Sequence, residues 1–250
     1  MSENFNLYSQ YYDLLYLDKD YQAETNYVVT LIEKYSSNSK SVLELGSGTG
    51  KHAYLLAEAG YQILGIERSV DMVEIANQKK NEKVKFQIAD ITNFKTDQTF
   101  DVATSLFHVI SYLTTNESLI ATFNNVKTHL NKNGLFIFDV WYSPAVYHQI
   151  PEKRSKILSN DTIEVLRKAN PIIYSNLNVV EVDYDITITN LADGSVEKIQ
   201  EKHPMRHFST PEIEILAYAT GFELLHAEAY LTKDQPSENT WGVCYILKKI

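Results

Sequence analysis

Between Tyr21 and Tyr35 the apolar side chains Tyr27, Val28, Leu31, Ile32 and Tyr35 recur at helical spacing, until the polar run Ser36-Ser37-Asn38-Ser39 breaks the pattern. The spacing predicts an amphipathic helix over 21–35. Ser41-Val42-Leu43-Glu44-Leu45 is a short apolar run that ends in Gly46-Ser47-Gly48-Thr49-Gly50, after which Ala53, Leu55, Leu56, Ala57 and Ala59 restore helical spacing as far as Gly60. This is a strand, a glycine turn and a helix. The same rhythm predicts strands at 61–66, 84–89 and 100–107 and helices at 70–80 and 119–130. A turn at Asn133-Gly134 and a wholly apolar strand at 135–140 follow. Strands and helices alternating at these lengths predict an α/β fold, a doubly wound, mostly parallel sheet with helices on both faces.

From Pro151 the period shortens to two. Residues 163–166, 178–189 and 196–207 alternate as strands, with Ala192-Asp193-Gly194-Ser195 as a hairpin turn, so the segment reads as an antiparallel β insert. Ser209-Thr210-Pro211-Glu212 has capping-box chemistry and an early proline, so a helix starts there and runs to Gly221; strands at 222–230 and 241–247 close the chain. No repeat or Pro/Gly-rich linker marks a second folding unit. The expected organisation is one domain over 1–250. It comprises an N-terminal lid and helix (1–40), a core (41–140), the antiparallel insert (151–208) and a return helix with closing strands (209–250).

Composition narrows the partners. With 23 Lys plus Arg against 32 Asp plus Glu, the net charge of −9 disfavours a nucleic-acid groove or an anionic membrane surface. The partner expected is a small molecule, neutral or cationic. No apolar run reaches the roughly 18 residues of a membrane span, and the start MSENFNLYSQ lacks a signal peptide's plan, so a cytoplasmic location is expected. The single cysteine, Cys244, excludes an internal disulfide and a cysteine-rich zinc centre, and no other ligand spacing suggests a metal. The 17 Tyr, 10 Phe and 2 Trp are enough to fill a core and line a pocket as well.

In a doubly wound sheet, ligands bind beyond the carboxyl ends of the strands, where the strand order reverses. The glycine turn after the first strand is the obvious candidate. It is not a nicotinamide fingerprint, because Lys51 stands where G-x-G-x-x-G needs its third glycine, and it lacks the Gly-Lys-Ser/Thr of a phosphate loop.

Glu44-Leu45-Gly46-Ser47-Gly48-Thr49-Gly50 resembles the first motif of the class I S-adenosylmethionine-dependent methyltransferases. A donor carrying an amino group and a sulfonium prefers an acid beside its binding loop, where a pyrophosphate would be repelled. The resemblance continues at Glu67, placed for two ribose hydroxyls, and at Asp90, where that family holds the adenine amino group with Met72 and Ile91 sandwiching the ring. Phe100 to His108 matches the fourth strand, whose end faces the methyl group. The resemblance thus implies S-adenosyl-L-methionine as cofactor, with Gly46, Ser47, Gly48, Gly50, Arg68 and Leu106 also around it.

Within that family, Tyr12-Asp13-Leu14-Leu15-Tyr16 with Asp20-Tyr21 resembles the lid of the N-methyltransferases of nucleotide-linked amino sugars. Gly50-Lys51-His52, Ser111-Tyr112-Leu113 and Val140-Trp141-Tyr142-Ser143-Pro144 extend the likeness. It implies that Tyr16 stands near the transferred methyl and that Tyr12 and Tyr21 reach the donor's carboxylate. Trp141 and Tyr142 become pocket wall, and His108 the candidate base, since histidine changes charge near neutral pH. The chain departs from that group at two places. His108 replaces a small polar residue, and the basic residue near Trp241 is missing, which leaves Arg206 and His207, with His203, as candidate anion contacts.

The expected activity is N-methylation of an amino sugar or similar amine. An O-methyltransferase, a nicotinamide-dependent oxidoreductase and a non-catalytic donor-binding protein are the alternatives. A homodimer through the exposed strands of the insert is a further expectation.

Overall fold

The structure is a computed structural model that describes residues 11, 14, 15 and 19–250; Tyr12 and Tyr16 lie outside the described residues. The chain divides into two compact units. One comprises Tyr21–Gln149 with Arg206–Ile250, and the other Ile150–Met205 with the described residues among the first twenty.

The larger unit begins with α1 (Tyr21–Tyr35), β1 (Ser41–Leu45), α2 (Lys51–Glu58), β2 (Gln62–Glu67), α3 (Val70–Ala76), β3 (Val84–Ile88) and β4 (Phe100–Ser105). After a 3-10 turn at Val109–Tyr112 come α4 (Asn116–His129), β5 (Leu130–Tyr142) and α5 (Ser143–His148). The chain re-enters this unit within β9 (Val196–Phe208) and ends with α6 (Thr210–Thr220), β10 (Phe222–Ala229) and β11 (Gly242–Lys249). The strands lie in the order β3-β2-β1-β4-β5-β11-β10, parallel from β3 to β5 and antiparallel from β5 to β10.

Successive residues in the buried strands serve opposite faces. Leu43 and Phe136 pack with Phe123 of α4 and Ile213 of α6, whereas Val42 and Ile137 pack with Val28 and Leu31 of α1 and Leu56 of α2. Both faces are therefore covered, as the unbroken apolar runs require. Because β2 and β3 lie on one side of β1 and β4 and β5 on the other, the strand order reverses between β1 and β4. The glycine turn and His108 follow those two strands.

The smaller unit is a sheet in the order β6-β7-β8-β9, from β6 (Arg154–Ser159), β7 (Ile163–Tyr174), β8 (Val179–Asn190) and the part of β9 up to Met205. The pairs β6–β7 and β7–β8 are antiparallel. Its core gathers Tyr11, Leu14, Ile163, Val165, Ile186 and Ile188.

Three local expectations change. β6 is almost wholly exposed and carries no apolar alternation; its pairing with β7, Arg154 opposite Ala169, makes it a strand. The helix expected to 80 stops at Ala76. The strand read as wholly apolar carries Asp139 in its sequence, and the structure buries that carboxylate completely. By contrast, Ser209 and Glu212 form the reciprocal capping box and Gly221 closes the helix at φ 78°.

Candidate functional site

β1 ends in a backbone only glycine adopts easily. Gly46, Gly48 and Gly50 have φ of 70°, 53° and 76°. A Cβ on Gly46 would meet Val109 at 2.7 Å, and one on Gly50 would meet the Phe86 ring at 2.5 Å. The turn is held from β2. The amides of Gly46 and Ser47 donate to the Ile66 carbonyl at 2.8 and 3.1 Å, while the Gly48 amide donates to Oε2 of Glu67 at 3.0 Å. Oε1 of Glu67 accepts from the Ser69 amide at 2.9 Å.

Glu44 is buried, and its Oε2 has no hydrogen-bond partner among the described residues. Burial, and then the neighbouring Glu67, push its carboxyl up to about 8. Such an atom suits a ligand that brings a cation or hydrogen-bond donor. The Met72 sulfur is 3.9 Å from where a Gly48 Cβ would stand. Asp90 is exposed, and its Oδ1 accepts the Thr92 amide and hydroxyl at 2.8 and 2.6 Å, bonds that hold it below the usual carboxylate range. Ile91 is half-buried and Arg68 exposed. Ser47 is buried against Gly65, and Leu106 packs into the core face beneath α1 and α2. Tyr21 lines a cavity of about 340 Å³ with Thr49, Lys51 and Tyr54, the Lys51 ammonium lying 4.9 Å from its ring centre.

Beyond β4, Phe107 and His108 both take left-handed conformations, at φ 65° and 61°. Bulky side chains adopt such conformations only where surrounding structure enforces them. Here the enforcing group is Asp139. Its Oδ2 accepts the His108 amide at 3.1 Å and lies 2.6 Å from the ring's Nδ1. The His108 ring opens on a cavity of about 490 Å³ lined also by Tyr230, Asp234, Asn239, Thr240 and Trp241. Trp141 stands edge-on to His108, its ring centre 6.4 Å away, and Trp241 stands edge-on to Trp141 at 5.7 Å. Leu231 and Lys233, in the segment bordering the cavity, are also left-handed, at φ 67° and 66°.

The remaining candidates lie elsewhere. Arg206 donates to Oδ1 of Asn116 at 2.8 Å and faces Glu212 at 3.8 Å. His207 is fully enclosed, with Nδ1 2.8 Å from the Ser143 hydroxyl, and burial lowers it to about 4. Tyr142 packs against the aromatic core, and His203 lies 3.2 Å from Glu201. None of these lines the His108 cavity.

Sequence reasoning missed Asp139, Tyr230 and the buried Glu24, and noted His52 only within Gly50-Lys51-His52, without a role. Asp139 had a legible signal, a lone acid within an apolar strand; Tyr230 and Glu24 had none. Among the described residues no group of three or more His, Cys, Asp and Glu is arranged to hold a metal, and no helix is long and apolar enough to cross a membrane.

Residues 42–134 match the family model described as a methyltransferase domain. Over 219 residues the chain is 26% identical to the dTDP-3-amino-3,4,6-trideoxy-alpha-D-glucopyranose N,N-dimethyltransferase of Streptomyces venezuelae, covering 87% of this chain and 90% of that one. Two solved structures share the fold. The S-adenosylmethionine-dependent methyltransferase of Clostridium acetobutylicum superposes with a TM-score of 0.81 at 19% identity, covering 99% of both chains. The amino pentose methyltransferase CalS10 of Micromonospora echinaspora gives 0.77 at 18% identity, covering 97% of this chain and 96% of that one.

Proposed function

We propose that this S-adenosyl-L-methionine-dependent methyltransferase, whose methyltransferase domain spans residues 42–134, methylates the nitrogen of an amine on a small, sugar-like acceptor. The observation that carries the reading is His108, presented to a polar cavity and backed by a buried carboxylate 2.6 Å away.

The end of β1 fits the donor. Glu44 offers a buried, unpartnered oxygen to the amino group, and the glycines let backbone approach without side chains in the way. Each Glu67 oxygen already holds one amide and keeps a lone pair for a ribose hydroxyl. Met72 and Ile91 flank the adenine and Asp90 meets its amino group. When bound, the donor supplies a methyl group made electrophilic by positively charged sulfur.

An amine attacks only through a free lone pair, so an acceptor arriving as ammonium must first lose a proton. His108 takes that proton on Nε2, while the Asp139 carboxylate beside Nδ1 offsets the charge the ring gains. Asp234 at the cavity rim attracts a cationic acceptor, and Asn239, Thr240 and the Trp241 ring suit hydroxyls and a sugar face. The relative from Streptomyces venezuelae is named for N,N-dimethylation of a dTDP-linked amino sugar, which supports an amine as acceptor. The reading includes a cytosolic location and self-association through the smaller unit, where Ile157, Ile172 and Leu177 are exposed.

The test is incubation with S-adenosyl-L-methionine and a panel of free and dTDP-linked amino sugars, followed by mass spectrometry. A gain of one or two CH2 at nitrogen is expected. Methylation confined to hydroxyls, or binding of NADH in place of S-adenosylhomocysteine, would overturn the reading.

A further inference from the structure

His52, in the first turn of α2, stands between two carboxylates from other elements. Its Nε2 lies 2.7 Å from Oε2 of Glu24 on α1, and its Nδ1 lies 4.0 Å from Oε1 of Glu44 on β1. All three side chains are buried, at 8%, 8% and 2% exposure for Glu24, His52 and Glu44, and the Tyr21 ring covers the imidazole with centres 5.0 Å apart.

This arrangement is not needed to shape the glycine turn, which hangs from the Ile66 carbonyl and the Glu67 carboxylate. What it supplies is an imidazole nitrogen beside an acid that burial and Glu67 keep protonated up to about 8. A protonated carboxyl cannot pair fully with an ammonium, so using Glu44 as an anion requires positive charge or a hydrogen-bond donor close to Oε1. The His52 Nδ1 stands at ion-pair distance from Oε1, 4.0 Å, and Glu24 anchors its far nitrogen at 2.7 Å, as a carboxylate behind a histidine fixes both tautomer and direction. Glu24 in turn faces the buried Tyr230 phenol, which also feels Asp139.

We propose that His52, anchored by Glu24, is a positioning residue that presents the Glu44 carboxylate, as an anion, to the ammonium group of the donor's amino-acid portion. The proposal rests on the reading of Glu44 as a donor contact.

The test compares two ligands, S-adenosylhomocysteine and S-(3-carboxypropyl)-5′-thioadenosine, the same molecule without its amino group. Calorimetric affinities are measured on the full-length wild type and on Glu24→Gln, His52→Gln and Glu44→Gln. The wild type is expected to prefer the amino ligand by about tenfold or more, the scale of one charged hydrogen bond. Glu24→Gln and His52→Gln are each expected to lose about tenfold on the amino ligand while changing less than about twofold on the other. Equal loss on both ligands would reveal a merely structural role and overturn the proposal, as would an unchanged preference. Glu24→Gln preserves shape, so that variant alone decides between these outcomes if the His52 variant does not fold. Failure of the underlying reading looks different, because the wild type itself would bind neither ligand or bind both alike.

Discussion

The Nδ1 atom of His108 lies 2.6 Å from Oδ2 of Asp139, and the backbone amide of the same histidine donates to the same oxygen at 3.1 Å. One carboxylate thus holds the strained backbone at the end of β4 by a hydrogen bond and stands at ion-pair distance from its ring. Asp139→Asn preserves volume but removes the charge. It is expected to lower kcat by about 10²-fold or more with little change in KM, because general acid–base catalysis contributes on that scale. Steady-state kinetics with a methylatable amine checks this; an unchanged kcat removes the pair from proton transfer.

The proposed contact between Glu44 and the donor makes binding a proton-linked event. Its ligand-free carboxyl is raised to about 8, so at pH 7 it holds a proton that pairing with an ammonium must expel. Calorimetry in buffers of different ionisation enthalpy is expected to show release of up to about one proton. Glu44→Gln is expected to abolish the release and weaken donor binding.

The same residue opposes stability. A folded-state value above the usual carboxylate range means that the native state binds more protons than the unfolded one between about pH 4.5 and 8. Its contribution is complete in acid and falls through that window, by at most about 1.4 kcal/mol per pH unit. Thermal melts of Glu44→Gln are expected to lack this decline and to exceed the wild-type Tm at pH 8.

His207 has the opposite sign. Burial lowers it to about 4, so it stays neutral in the fold while the unfolded chain takes up a proton below its ordinary value of 6.5. Stability from this group is present above pH 6.5 and is lost as pH falls toward 4. His207→Asn keeps an acceptor near Ser143 and is expected to flatten that slope in denaturant titrations at pH 4.5 to 7.

Two glycines of similar φ separate backbone strain from crowding. Gly194→Ala, at φ 73° with nothing within 4 Å of the new methyl, is expected to cost about 1 kcal/mol. Gly50→Ala, at φ 76° with the Phe86 ring 2.5 Å away, is expected to cost about 3 kcal/mol because overpacking adds to the strain. Urea unfolding of the two variants measures the difference.

Much of the proposed donor half of the site is legible in the chain because it is local. Glu44 and the three glycines are neighbours in sequence, and Glu67 and Asp90 each end or closely follow a strand that periodicity reveals. The proposed acceptor half is less legible. His108, Tyr230 and Trp241 each border a readable strand, but nothing in the pattern shows that these strand ends meet around one cavity. Arg206 and His207 looked available on an alternating strand, yet packing engages one with Asn116 and encloses the other beside Ser143.

The sequence by itself determined most of the strands and helices of the larger unit, the glycine turn and the capping box of α6. Each follows from spacings of two to four residues, within which side chains on one element must share a face. Tertiary structure alone decided that Asp139 backs His108 across 31 residues and that Glu24 reaches His52 across 28. Those pairings depend on which strand lies beside which and on which face each helix covers. A periodic pattern records only that a side chain is buried, so the partner buried with it is fixed when the chain closes on itself.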